Sequence, residues 1–265
     1  MKKSFPAEFV YQVFALIVAI IIVHAVYVTV IRPNADAFLE QEFAQMKADP
    51  DYVAKRSFYV LVRDFEQEAC FILMLWAFAI LGYKGVAVHR QKLLLDEDLT
   101  LLSEDMRVLP EDARALSRKV QSLPEAVKNS LLPRALLTGL QRFDATRDVH
   151  AVSAATRDVC ESEGERLESE LSMIRYIAWA IPCIGFIGTV RGIGDALGQA
   201  HKAVEGDITG VTQSLGVAFN STLIALIISI VLMFFVHQLQ LMQERLVLDT
   251  ELYCDQRLIR HLQDK

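Results

Sequence analysis

The chain has 265 residues, 53% hydrophobic and 23% charged, and its 27 basic and 33 acidic residues leave a net charge of −6. Mean hydropathy is +0.30, and the charge lies in blocks between long apolar runs. That pattern excludes a soluble domain, which alternates polar and apolar residues every few positions. No basic block is present, which argues against nucleic acid as a partner. Cys70, Cys160, Cys183 and Cys254 show no CxxC or Cys/His spacing. They read as reduced thiols, with no disulfide framework or metal site, and no cofactor is expected.

Four runs reach the roughly 20 apolar residues needed to cross about 30 Å of hydrocarbon. The first, 9–31, ends an N-terminal block 1–31 and is too long for a leader core, so it reads as a retained span. An extracytoplasmic segment, 32–68, leads to a second span at 69–88. The charged loop 89–172 reads as helices broken by Pro110, Pro124 and Pro133. Within it, Leu93, Leu94, Leu99, Leu101 and Leu102 suggest an amphipathic stretch, and Leu116, Val120, Leu123 and Val127 recur at helical steps. The acidic stretch 157–171 is expected to extend the next span as a helix. The third and fourth spans, 174–197 and 211–237, form a block at 173–240 with a short loop, 198–210, between them. In the tail, 241–265, Leu241, Leu248, Leu252, Ile259 and Leu262 recur at near-heptad steps, as in an amphipathic helix. These faces pack either on each other or on neighbouring subunits. The expected fold is therefore all-α and integral to the membrane, with four transmembrane helices.

Basic residues near the span ends set the orientation. Lys2 and Lys3 precede span one, Lys84, Arg90 and Lys92 close span two, Arg166 and Arg175 precede span three, and Arg245 follows span four. The loop 198–210 carries only Lys202. Both termini and the long loop are predicted to be cytoplasmic, although the segment 32–66 carries Arg32, Lys47, Lys55, Arg56 and Arg63.

Function must be argued from spans three and four. In span three Gly185, Thr189, Gly192 and Ala196 share one stripe, and Gly188 with Gly192 forms a GxxxG, which lets helix backbones approach closely in lipid. Gly194 and Gly198 form a second. Pro182 removes a backbone hydrogen bond and is expected to bend the helix before the stripe. In span four Ser214, Ala218, Thr222, Ala225 and Ser229 make a small, weakly polar face, with Asn220 and Ser221 beside it. Such faces either pack helices, their hydroxyls bonding back to carbonyls, or line a narrow passage in which hydroxyls order water without a buried charge. Arg191 and Asp195 lie four residues apart and can pair; alternatively Arg191 faces the outer mouth and affects ion entry. Neither span has a central Asp or Glu, so no titratable carboxylate is expected beside the hydroxyl faces. A proton carrier would have to come from another polypeptide.

Residues 181–193, IPCIGFIGTVRGI, resemble the glycine-rich helix of the MotA/TolQ/ExbB proton-channel family, and 215–226, LGVAFNSTLIAL, resemble its final span. The resemblance covers about 172–239. It implies a subunit of the bacterial inner membrane that forms a homo-oligomer, a pentameric ring, around single-span partners of the MotB/TolR/ExbD group. The partner helix supplies an aspartate that carries protons, and ion flow drives mechanical work as in a stator. By position, Thr189 and Thr222 would line the proton pathway, with Ser221 and Asn220 beside them and Gly185, Gly188, Gly192, Ala218 and Ala225 packing at the pore. TolQ- and ExbB-like members carry a glutamate where this chain has Val217. Four spans look more like the flagellar arm of the family, yet the cytoplasmic loop shows no pattern of rotor-binding charges. No nucleophile–base set, P-loop or metal cluster points to an enzyme. The rival reading is a structural scaffold whose glycine faces only assemble helices, and sodium is an alternative to protons.

Overall fold

A computed structural model describes residues 7–48, 55, 57–97, 99 and 107–263. Lys2, Lys3, Arg56, Leu101 and Leu102, used above for orientation and for the loop, lie outside the described residues. In chain order the helices are α1 (Ala7–Val26), α2 (Arg32–Ala48), α3 (Phe58–Leu61), α4 (Phe65–Leu93), α5 (Pro110–Gln121), α6 (Glu125–Lys128), α7 (Leu131–Thr146), α8 (Val149–Glu170), α9 (Ser172–Gly198), α10 (Ala200–Val204) and α11 (Thr209–Arg257). A π-helical turn, Tyr27–Ile31, joins α1 to α2, and a 3-10 turn, Ile259–His261, follows α11. Apart from an isolated bridge between Val108 and Leu262, every element among the described residues is helical. Among the described residues, four helical stretches are long and apolar enough to cross a membrane. The protein is an all-α, membrane-spanning protein, as the apolar runs require: hydrocarbon offers no water to bond to, and a helix satisfies each N–H and C=O within its own segment.

The chain divides into two compact units. The first comprises Met1–Gly82 and Met173–Val236. Its first helix does not stop at residue 31 but runs through the π-helical turn into α2, as far as Ala48. Pro33 lacks an N–H, and just before it the ladder widens, Arg32 N–H bonding to the Tyr27 carbonyl five residues back. The Tyr11 hydroxyl donates to the Ala79 carbonyl (3.1 Å) and the Trp76 indole N–H to that of Gln12 (2.9 Å), tying α1 to α4. Phe78 meets Phe235 edge-on at 5.3 Å, setting α4 against α11.

The second unit comprises Tyr83–Ser172 and His237–Lys265. Its core is Val120, Leu131, Leu136, Leu140, Phe143, Val152, Cys160, Cys254 and Leu258 among others. Pro110 opens α5 and Pro124 precedes α6, as the breaks predicted there require. Pro133 breaks nothing: it sits in the first turn of α7, where N–H groups have no helical partner. The run from Leu116 to Val127 is not one helix, because α5 ends at Gln121. Among the described residues between Leu93 and Leu99 none is helical beyond Leu93 either; Leu95 and Leu99 instead pack on the core. The acidic stretch is helical as α8, which is separated from α9 by Leu171 alone. Of the near-heptad positions expected in the tail, Leu262 lies in this core and Ile259 packs on it, but the rest of the buried stripe differs. Leu246, Cys254 and Leu258 point inward, whereas Leu248 and Leu252 are 63% and 53% exposed.

Candidate functional site

The small residues of α9 and α11 face each other. A Cβ on Gly185 would collide with Ala225, one on Gly188 with Ser221, and one on Gly192 would lie 2.8 Å from the Ala218 Cβ and 2.7 Å from the Ser214 carbonyl. The close approach of α11 therefore favours glycine at these three places, through backbone and side-chain atoms at Gly185 and Gly192 and through the Ser221 side chain at Gly188. Ala218 and Ala225 are fully buried in the same seam. Gly194 and Gly198, the second GxxxG, have nothing within 4 Å of a Cβ among the described residues.

Hydroxyls line this seam. Thr189 and Thr222, brought together from α9 and α11, hydrogen-bond to each other. Thr189 also reaches the Ala218 carbonyl (3.0 Å) and, in its own helix, that of Gly185 (3.4 Å). The Thr222 hydroxyl reaches the Gly185 carbonyl at 3.0 Å. Buried Ser221 reaches the carbonyls of Ala218 (2.9 Å) and Gly185 (3.3 Å). Each hydroxyl has one proton to donate and two lone pairs. Here the acceptors outnumber the protons, so several donor patterns are open to the same set of atoms.

Pro182 lies inside α9. Its missing N–H frees the carbonyl four residues back, that of Ala178. Ser229 of α11 donates its hydroxyl to that carbonyl at 2.9 Å. The polar face of the fourth span thus answers the defect in the third.

Asn220 stands apart from this seam. With Val217, Gly216 and Thr212 it lines a cleft of about 280 Å³ against Phe38, Phe43, Val60 and Asp64. At the edge of that cleft burial raises the Asp64 carboxyl above its ordinary value, while Arg63 and Arg191 pull it back.

Arg191 does lie within reach of Asp195, but only at 4.0 Å. Its main partner is Glu66 of α4, through Nε (2.7 Å) and Nη2 (2.8 Å) in a two-bond fork. The Glu66 Cγ would lie 3.1 Å from a Cβ on Gly188. A carboxylate therefore does stand beside the small-residue face, contrary to the expectation from spans three and four alone. It comes from the first turn of α4. The only local signal was an acid at the head of an apolar run. Glu68, in the same turn, takes a hydrogen bond with His24 (2.7 Å) and an ion pair with Arg32, which stacks over Phe65. No group of three His, Cys, Asp or Glu side chains suited to a metal occurs among the described residues.

No curated protein and no solved structure gives a significant match. Residues 127–252 match the model of the MotA/TolQ/ExbB proton channel family. The match takes in α7, α8, α9, α10 and most of α11, the seam with its paired threonines included. A domain of the MotA/TolQ/ExbB proton channel family thus occupies residues 127–252 of this chain.

Proposed function

We propose that the chain is the ion-conducting, ring-forming subunit of a stator-like engine in the bacterial inner membrane, and not an enzyme. Five copies surround the transmembrane helices of a MotB/TolR/ExbD-like partner, whose aspartate carries the proton. Both termini and the long loop face the cytoplasm, since Lys84, Arg90 and Lys92 close span two while the α9–α11 connection carries only Lys202.

The paired hydroxyls of Thr189 and Thr222 carry this reading. Two half-buried hydroxyls with alternative acceptors can reorient and pass hydrogen bonds along a route without an ionised group in the hydrocarbon. Neither helix supplies a central carboxylate and Glu66 is held by Arg191 in a two-bond pair, so the reading gives the titrating acid to a partner. Ser221 sits in the same network, and Asn220 serves the adjoining cleft. Thr189→Ala and Thr222→Val are expected to lower proton flux into membrane vesicles at least tenfold while assembly, read by native mass spectrometry, stays intact. Wild-type flux in both variants would overturn the route.

A second reading is favoured by the glycine geometry. Gly185, Gly188 and Gly192 are all taken up by α11 of the same chain, as a purely structural scaffold would use them. That scaffold tolerates hydroxyl loss and works without a carboxylate-bearing partner. Measuring the copy ratio of whatever co-purifies with the chain separates the two.

A further inference from the structure

We propose that the Glu66–Arg191 pair is an electrostatic filter at the outer end of the hydroxyl route, in which Glu66 cancels a fixed positive charge that would otherwise repel cations from Thr189 and Thr222. The inference rests on the ion-conducting reading and assigns a role to a residue of α4, outside the two helices that form the seam and outside the matched domain.

Four observations support it. Arg191 stands only about 3 Å farther along the helix axis than Thr189, on another face of α9, and the pair reaches the seam through Glu66, whose Cγ lies beside Gly188. The Arg191 guanidinium cannot shed its proton, so at that depth its charge must be met by an anion or act on whatever passes. Glu66 meets it with a two-bond fork, at 2.7 and 2.8 Å, the geometry that holds an Arg–carboxylate pair most firmly. The Glu66 side chain is 12% exposed, against 57% for Asp195, which stands at 4.0 Å from Arg191. Asp195 is therefore the screened, weaker partner. Gly188 makes the arrangement possible, since its bare backbone leaves room for the Glu66 methylenes close to Ser221.

A clamp that merely holds α4 to α9 and a filter that cancels charge predict different signs. Under a clamp, loss of either partner damages the protein alike. Under a filter, E66Q leaves Arg191 with only the more distant Asp195 and Asp64 to offset its charge, and R191Q leaves the Glu66 carboxylate without its two-bond partner. The test uses membrane vesicles from cells making the full complex, with proton flux read by a trapped pH-sensitive dye under an imposed potential, and with assembly measured in parallel. E66Q is expected to cut flux at least tenfold, R191Q to raise it above wild type, and E66R combined with R191E to return it to within about threefold of wild type. Equal losses in E66Q and R191Q, or no change in either, overturn the filter. If E66Q does not assemble, R191Q decides alone: a gain in flux supports the filter and a loss overturns it. Absence of flux in wild-type vesicles containing the assembled complex would instead overturn the ion-conducting reading on which this one rests.

Discussion

The seam between α9 and α11 and the core of the second unit are both helix packed on helix, yet they use opposite side chains. The seam is built from Gly185, Gly188, Gly192, Ala218 and Ala225, and hydroxyls cross it to reach carbonyls of the facing helix. The second unit closes over Leu131, Leu136, Phe143, Val152 and Leu258, and carries charged pairs such as Arg114–Asp144 on its surface. Water drives the second kind of packing, because each large apolar side chain removed from it is stabilising. Lipid gives no such drive: a leucine gains little by leaving hydrocarbon, so association depends on close backbone approach and on hydrogen bonds. Gly139 shows where the two styles meet. A Cβ there would sit 3.1–3.3 Å from Thr156, Leu258 and Val152, so even the larger-residue core has one point of close approach.

The contrast can be broken most severely at Gly185. Gly185→Val forces a branched side chain into Ala225 and the α11 backbone, and the protein is expected not to accumulate in the membrane. Gly194→Ala, in open space, should accumulate at the wild-type level on an immunoblot. Equal levels for both would mean that the seam is not close-packed. Next comes the second unit, where Phe143→Ala empties a fully buried site and should cost about 3–5 kcal/mol, read as a lowered unfolding midpoint. The smallest effect sharpens the comparison most. Ser229→Ala is expected to cost about 1 kcal/mol, by leaving the Ala178 carbonyl without its donor. On a Pro182→Ala background the restored N–H can serve that carbonyl, so the cost should vanish. A double-mutant cycle in detergent measures this coupling, and strict additivity would remove Ser229 from the account of Pro182.

Much of the fold was legible because the signals are local. Long apolar runs report spans wherever they occur, and the spacing of Gly185, Thr189, Gly192 and Ala196 places them on one face by helix geometry alone. The same logic misled in the tail, where the leucines at 248 and 252 made a plausible stripe. The buried stripe runs through Leu246, Thr250, Cys254 and Leu258; because it includes a threonine and a cysteine, a search for leucines passes over it. At Pro133 the residue type suggested a break, but its effect depends on where the helix begins, which proline does not encode. In the candidate site, Thr189 and Thr222 are legible from the small-residue pattern of their own spans and from a family motif. Asn220 adjoins them in sequence but lines the cleft instead, because two residues along a helix turn a side chain to nearly the opposite face.

By itself the sequence determined that this is a helical membrane protein with four spans, that two of them carry small-residue faces, and that the hydroxyls on those faces lack an acid from their own helices. Composition and periodicity suffice for such properties, since each depends on one helix and its solvent. Only the tertiary structure decided which groups meet: Glu66 with Arg191, Ser229 with the carbonyl freed by Pro182, and Thr189 with Thr222. Those pairs join positions 33 to 125 residues apart. Their geometry follows from how the helices pack, and no spacing along one helix encodes it.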